Sequence, residues 1–119
     1  MKNGSTILVV EDEDIHRLIL KKVLESNGYS VFHAANGAEG LEVLRTIKVD
    51  LAIVDLEMPV MDGMEFITWV KEINPNFPVI IITAHASNFS PKDILDANVN
   101  ALLSKPLQMD ELIKLVERL

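Results

Sequence analysis

The sequence predicts an α/β fold in which a five-stranded parallel sheet is wound on both faces by five helices. Three observations predict it. Residues 7–10, 51–54, 79–82 and 101–103 are continuously apolar, as strands buried on both faces are. Between them lie stretches whose apolar residues recur at helical spacing. The two kinds of segment alternate five times along the chain, the pattern of repeated strand–helix–strand units.

The first strand, residues 7–10, runs into four consecutive acids, Glu11-Asp12-Glu13-Asp14. The first helix is expected to start near Asp14, which can cap it. Ile19, Leu20, Val23 and Leu24 mark its buried face, and Asn27-Gly28 stops it. Residues 30–34 form the second strand. Asn36-Gly37 opens the second helix, with Ala38, Leu41, Leu44 and Ile47 toward the core. Residues 50–55 are the third strand; it ends at Asp55, and Met58-Pro59 turn the chain away. Asp62 caps a third helix carrying Met64, Ile67, Trp69, Val70 and Ile73, with Trp69 and Met64 as packing residues. Asn74-Pro75 ends it.

Residues 79–82 are the fourth strand, with Thr83 at its tip. After a loop over residues 84–89, Ser90-Pro91-Lys92-Asp93 reads as a helix start: a capping Ser, Pro at the first helical position and an acid in the first turn. Asn98 suits a left-handed stop. The fifth strand, residues 101–104, leads into Lys105-Pro106. A last helix covers residues 109–118, with Leu112, Leu115, Val116 and Leu119 inward. Right-handed crossovers leave 2-1-3-4-5 as the expected strand order, a flavodoxin-like arrangement. In that order four strand tips meet at one rim. They carry Glu11 and Asp12, Asp55, Thr83, and Lys105.

The 119 residues fit one domain, residues 1–119, and the 49% hydrophobic content supports a true core. A net charge of −7 argues against direct nucleic-acid binding and against anionic membrane as a partner. With no cysteine, disulfides and thiolate metal sites are excluded. The first residues lack the apolar region of a signal peptide, and no apolar run approaches the ~20 residues of a membrane span. A cytoplasmic location is expected.

The chemistry is concentrated on the third strand. A carboxylate at the tip of a fully buried strand must be solvated, paired or metal-bound. Three carboxylates at one rim repel each other, and a hard divalent cation removes that penalty. Mg²⁺ accepts one or two carboxylates and keeps waters that phosphate oxygens can replace. Asp12 and Asp55, with Glu11 holding a metal water and the backbone carbonyl of Glu57 as a further oxygen, therefore read as an Mg²⁺ site. Asp55 is the expected nucleophile, forming an aspartyl phosphate. Mg²⁺ and the Lys105 ammonium would neutralise developing charge, and the Thr83 hydroxyl would donate to a phosphoryl oxygen.

Over essentially its whole length the chain resembles the receiver domain of two-component response regulators. The resemblance rests on residues 7–10 followed by Glu11-Asp12, on Asp55-Leu-Glu-Met-Pro-Val-Met-Asp-Gly63, on Ile82-Thr83-Ala84, and on Ser104-Lys105-Pro106. It implies phosphoryl transfer from the phosphohistidine of a sensor histidine kinase or a histidine phosphotransfer domain onto Asp55, with Mg²⁺. It also implies slow self-hydrolysis and no other enzymatic turnover. A downstream effector or fused output domain would read a face made by the fourth helix, fifth strand and fifth helix. A cis bond between Lys105 and Pro106 is implied as well. Two positions depart from the family pattern: Leu102 stands where an aromatic is common, and Leu107 where Phe is common. Residues 84–89 and Pro91 point to a fourth helix that starts late. Glu57 and His85, each two residues past Asp55 and Thr83, would flank the phosphate and tune its hydrolysis.

Three other readings fit the residues less well. A haloacid-dehalogenase-type phosphohydrolase also uses an Asp nucleophile and Mg²⁺, but places that Asp after the first strand. A flavodoxin-like cofactor binder needs a phosphate loop where Glu11 to Asp14 would repel phosphate. A constitutive, unphosphorylated adaptor has no use for the intact acceptor set. His16 and His33 read as structural or surface residues. Ile15 and Leu18 share an outward face of the first helix one turn from Asp12. That patch reads either as a wide core stripe or as a docking spot for a kinase's helical phosphohistidine domain.

Overall fold

The computed structural model describes residues 1–58 and 60–119. The turn assigned to Pro59 lies outside the described residues. Five strands form one parallel sheet: β1 (Thr6–Val10), β2 (Ser30–Ala34), β3 (Leu51–Asp55), β4 (Val79–Thr83) and β5 (Ala101–Ser104). Their order is β2-β1-β3-β4-β5, as expected. Four α-helices join them, α1 (Asp14–Ser26), α2 (Gly37–Thr46), α3 (Gly63–Ile73) and α4 (Pro91–Ala97), and a fifth, α5 (Met109–Arg118), follows β5. A single 3₁₀ turn, Ala86–Asn88, precedes α4.

The pleat sorts the strand residues into two cores. Ile7, Val9, Ile53 and Ile80 pack with Leu20 and Leu24 of α1 and Leu112 and Val116 of α5. Their sequence neighbours Leu8, Val10, Val54 and Ile81 pack with Phe66, Ile67 and Val70 of α3 and with Leu41 and Leu44 of α2. All ten residues of β3 and β4 are buried. That accounts for their unbroken apolar runs, since neither face meets water.

Local chemistry sets most boundaries. Asn36 and Asp62 each accept the backbone N–H three residues on, at 2.9 Å, and so cap α2 and α3. Ser90 and Asp93 form a reciprocal capping box with Pro91 inside it, and Asn98 takes the left-handed conformation (φ 56°) that ends α4. Gly28 has φ 94° after α1, where a side chain would be strained. The Lys105–Pro106 peptide is cis.

Four expectations are corrected. Asp14 does not cap α1; it is the first helical residue, Glu13 holds the cap position, and the Asp14 carboxylate is engaged by Arg17. Ile19 is not buried but 43% exposed, because the α1 stripe is centred on Leu20 and Leu24. On α3 the inward stripe runs through Gly63, Phe66, Ile67 and Val70, so Trp69 and Ile73 face outward and are not packing residues. Phe66 is the large side chain at the centre; it lies against Gly40, where a Cβ would come within 2.8 Å of its ring. Leu119 lies beyond the end of α5 and is exposed.

Candidate functional site

Strand register brings the rim together. Val10 of β1 lies beside Val54 of β3, Asp55 beside Ile82 of β4, and Thr83 beside Ser104 of β5. The residues that follow these tips therefore surround Asp55. The N-terminus of α3 closes the other side: the Gly63 N–H donates to the Leu56 carbonyl at 3.2 Å. A Cβ on Gly63 would stand 2.5 Å from the Asp55 carbonyl oxygen, so this approach requires glycine.

Glu11, Asp12 and Asp55 converge as expected, with one carboxylate oxygen from each lying within 4.8 Å of the others. Glu11 and Asp55 are buried, whereas Asp12 opens to solvent. The Lys105 Nζ donates to Asp55 Oδ2 at 3.0 Å and to Glu11 Oε1 at 3.2 Å. Its backbone N–H is fixed to the Thr83 carbonyl at 2.8 Å. The Glu57 backbone N–H donates to Asp55 Oδ1 at 3.1 Å, which lays the Glu57 backbone against that carboxylate.

Two supports of Glu11 went unrecognised in the sequence. Arg17 donates to its backbone carbonyl at 2.9 Å, and His16 Nδ1 lies 3.2 Å from its Oε1. The signal available was their place in the first turns of the helix that starts directly after the acids. His16 is thus attached to the site, while His33 is exposed. Glu57 is expected both as a backbone-carbonyl oxygen and, with His85, as a flank of the phosphate; its side chain joins Thr83 to His85. Its Oε1 accepts the Thr83 hydroxyl at 2.5 Å and lies 2.8 Å from His85 Nδ1.

The electrostatics follow from burial and partners. Burial, then the hydrogen bond and charge of Asp55, push the Glu11 carboxyl up to about 8. Burial also opposes ionisation of Asp55, but hydrogen bonds from Glu11, the Glu57 amide and Lys105 outweigh it and hold Asp55 below the usual carboxylate value. Burial disfavours the Lys105 charge; the hydrogen bond and charge of Asp55, reinforced by Glu11, overcome it and raise the ammonium's pKa. The hydrogen bonds of Thr83 and then His85 hold the Glu57 carboxyl low.

The donor set fits a hard divalent cation. All three ligand side chains offer oxygen, and Glu11 Oε2 is buried with no hydrogen-bond partner among the described residues. A shared proton or a metal-bound water would satisfy that atom.

Beside the acids, Ile19, Leu20, Pro106, Leu107 and Met109 line a depression of about 450 Å³, with Glu11 and Lys105 also on its wall. Ile15, Leu18 and Ile19 are 72%, 52% and 43% exposed, so the α1 patch is an outward face and not a core stripe. Leu102 is partly buried against the α2–α3 side of the sheet. Among the described residues no helix is long and apolar enough to cross a membrane.

Comparison with known proteins bears on family and fold. A family model described as "Response regulator receiver domain" matches residues 7–117. The transcriptional regulatory protein GlrR of Escherichia coli is 40% identical over 111 residues, which is 93% of this chain but 25% of that protein. The chain thus spans about a quarter of the length of that relative. The sporulation initiation phosphotransferase F of Bacillus subtilis is 32% identical over 94% of this chain and 90% of its own length. Among solved structures, the response regulator protein TrrA of Thermotoga maritima, in complex with Mg(2+)-BeF, superposes with a TM-score of 0.86. It is 31% identical and covers 96% of this chain and 97% of its own.

Proposed function

The chain belongs to the response regulator receiver domain family, and from that premise we propose that residues 1–119 form one phosphoacceptor domain that takes a phosphoryl group onto Asp55. The donor is the phosphohistidine of a sensor histidine kinase or a histidine phosphotransfer domain. One observation carries this reading. Asp55 is buried yet held ionised, with the Lys105 ammonium at 3.0 Å and two further acids at cation-sharing distance.

A carboxylate held in its charged form is a competent nucleophile without a general base. An Asp55 oxygen attacks phosphorus in line. The P–N bond of the donor breaks, and its electron pair leaves with the imidazole. Lys105, aimed at Asp55 from β5, offsets charge on the transferred group, and the Thr83 hydroxyl is the donor nearest on β4. Glu11, Asp12 and Asp55, with the Glu57 backbone carbonyl, would hold Mg²⁺, which when bound neutralises charge on the phosphoryl oxygens. Turnover beyond the chain's own phosphorylation and slow dephosphorylation is not part of this role.

The α1 face supports a helical donor domain. Ile15, Leu18 and Ile19 are exposed, and Ile19 lines the apolar depression on whose wall Lys105 lies. On the opposite side of Thr83, no residue of α4 is buried. A segment so lightly anchored suits the readout by an effector or a fused output domain through α4, β5 and α5.

The test is labelling. With Mg²⁺ and acetyl phosphate or phosphoramidate, the native chain should take up one acid-stable, base-labile phosphate, and Asp55→Asn should take up none. Labelling that persists in Asp55→Asn at another residue overturns the assignment.

A further inference from the structure

The Thr83 hydroxyl is fully engaged before any phosphate arrives. Thr83 has no exposed surface. Its single hydroxyl proton goes to Glu57 Oε1 at 2.5 Å, and its oxygen accepts the His85 backbone N–H at 3.0 Å. The same Oε1 is gripped from outside by His85 Nδ1 at 2.8 Å. The Glu57 backbone is tied to Asp55 Oδ1 through its amide. Glu57 therefore bridges the tip of β3 to the tip of β4, one end on the acceptor and the other on the hydroxyl.

We propose that Glu57, steadied by His85, is a carboxylate latch that occupies the Thr83 hydroxyl in place of a phosphoryl oxygen, so that occupancy of Asp55 must first displace it. The proposal rests on Asp55 being the acceptor and makes Glu57 a positioning residue that acts through Thr83. A hydroxyl has one proton, and a carboxylate and a phosphoryl oxygen on Asp55 would compete for it. Both competitors are anionic, so both bonds are charge-assisted and of similar strength. Two anions held by one hydroxyl also repel each other. The hydroxyl's hydrogen bond with the phosphoryl group then comes only after loss of a comparable bond with Glu57. The latch thus holds down the affinity of the site for phosphoryl and keeps Thr83 and the His85 backbone in their unphosphorylated arrangement. Glu57→Ala removes the competitor and leaves Asp55, Thr83, Lys105 and the backbone carbonyl in place. Glu57→Gln keeps the shape and a neutral acceptor but not the charge.

Beryllofluoride at saturating Mg²⁺ is the probe, a phosphoryl mimic on carboxylates, read by ¹⁹F NMR of the bound species. Each variant is first checked for cooperative unfolding. Glu57→Ala should bind on the order of tenfold tighter than the native chain, with Glu57→Gln between the two. In a Thr83→Ala background, where there is no hydroxyl to release, the gain from Glu57→Ala should shrink to less than about threefold; a merely structural Glu57, or one acting only by repulsion, would keep the same gain in both backgrounds. An unchanged or weakened affinity in Glu57→Ala and Glu57→Gln, or an equal gain with and without Thr83, overturns the latch. Failure of the native chain itself to bind beryllofluoride would instead strike at the Asp55 acceptor reading.

Discussion

Raising the pH from 5 to 8 should destabilise the metal-free protein, and Glu11 should be the cause. The Glu11 carboxyl ordinarily titrates near 4.5; in the fold it is pushed up to about 8, first by burial and then by the hydrogen bond and charge of Asp55. Between those two values the folded chain holds a proton that the unfolded chain has released. Stability must then fall as pH rises, by about 1.4 kcal/mol per pH unit at the steepest and on the order of 4 kcal/mol across the window. The other perturbed groups at the site do not share this window. Asp55 and Glu57 are held low, so their contributions are lost only as pH falls below the carboxylate range. Lys105 is held high, and its contribution is lost only in strong alkali.

A loss of on the order of 4 kcal/mol is a large part of the roughly 5–15 kcal/mol that a small domain has. It is readable as a falling urea midpoint at pH 5, 6, 7 and 8 in EDTA. Glu11→Gln imitates the protonated carboxyl: its carbonyl can still accept from Lys105 and its amide can donate toward Asp55. The variant should show a nearly flat profile and exceed the native chain in stability at pH 8. A native midpoint that does not move over this range, or a Glu11→Gln profile as steep as the native one, would refute the reasoning.

Val60 is β-branched, exposed and held at φ 70°; Val60→Gly should raise the urea-derived stability by about 1 kcal/mol, because a β-branched side chain is strained in that conformation and glycine is not. Gly63→Ala places a methyl group 2.5 Å from the Asp55 carbonyl and 2.7 Å from the Leu56 Cα. It should cost about 2–3 kcal/mol in the same assay and slow labelling of Asp55 by acetyl phosphate. Ile15→Asp together with Leu18→Asp, both on the exposed α1 face, should slow phosphoryl transfer from a cognate kinase by at least about tenfold while sparing labelling by acetyl phosphate. Equal loss with both donors would reject α1 as the docking face.

Legibility in the sequence followed interaction range. β3 and β4 could be read directly because a strand covered on both faces shows itself as an unbroken apolar run. The α4 boundaries were legible because Ser90, Pro91, Asp93 and Asn98 act within a few residues of one another. The convergence of Asp12, Asp55, Thr83 and Lys105 followed once strand order was fixed. Ile19 and Trp69 were misplaced because their helices' phase is set by what lies opposite; Phe66 against Gly40 decides it for α3. The bond from Thr83 to the Glu57 side chain was beyond reach for the same reason. Its partner Thr83 is 26 residues away, and the bond depends on Asp55 standing level with Ile82.

The position of Thr83 suggests how a local charge change would be felt elsewhere. On its N-terminal side lies β4, wholly buried and paired on both edges. On its C-terminal side lie the 3₁₀ turn and α4, neither with a buried residue. The helix keeps its shape through its own capping box, so it can shift as a unit without unwinding. The Thr83 oxygen also holds the first N–H of this loose segment, that of His85. A hydroxyl drawn toward Asp55 would pull on His85 and release the Glu57 carboxylate at the same time. Strain from that movement cannot relax into β4, whose side chains are close-packed in both cores. It would pass instead to residues 85–97, where little burial opposes it.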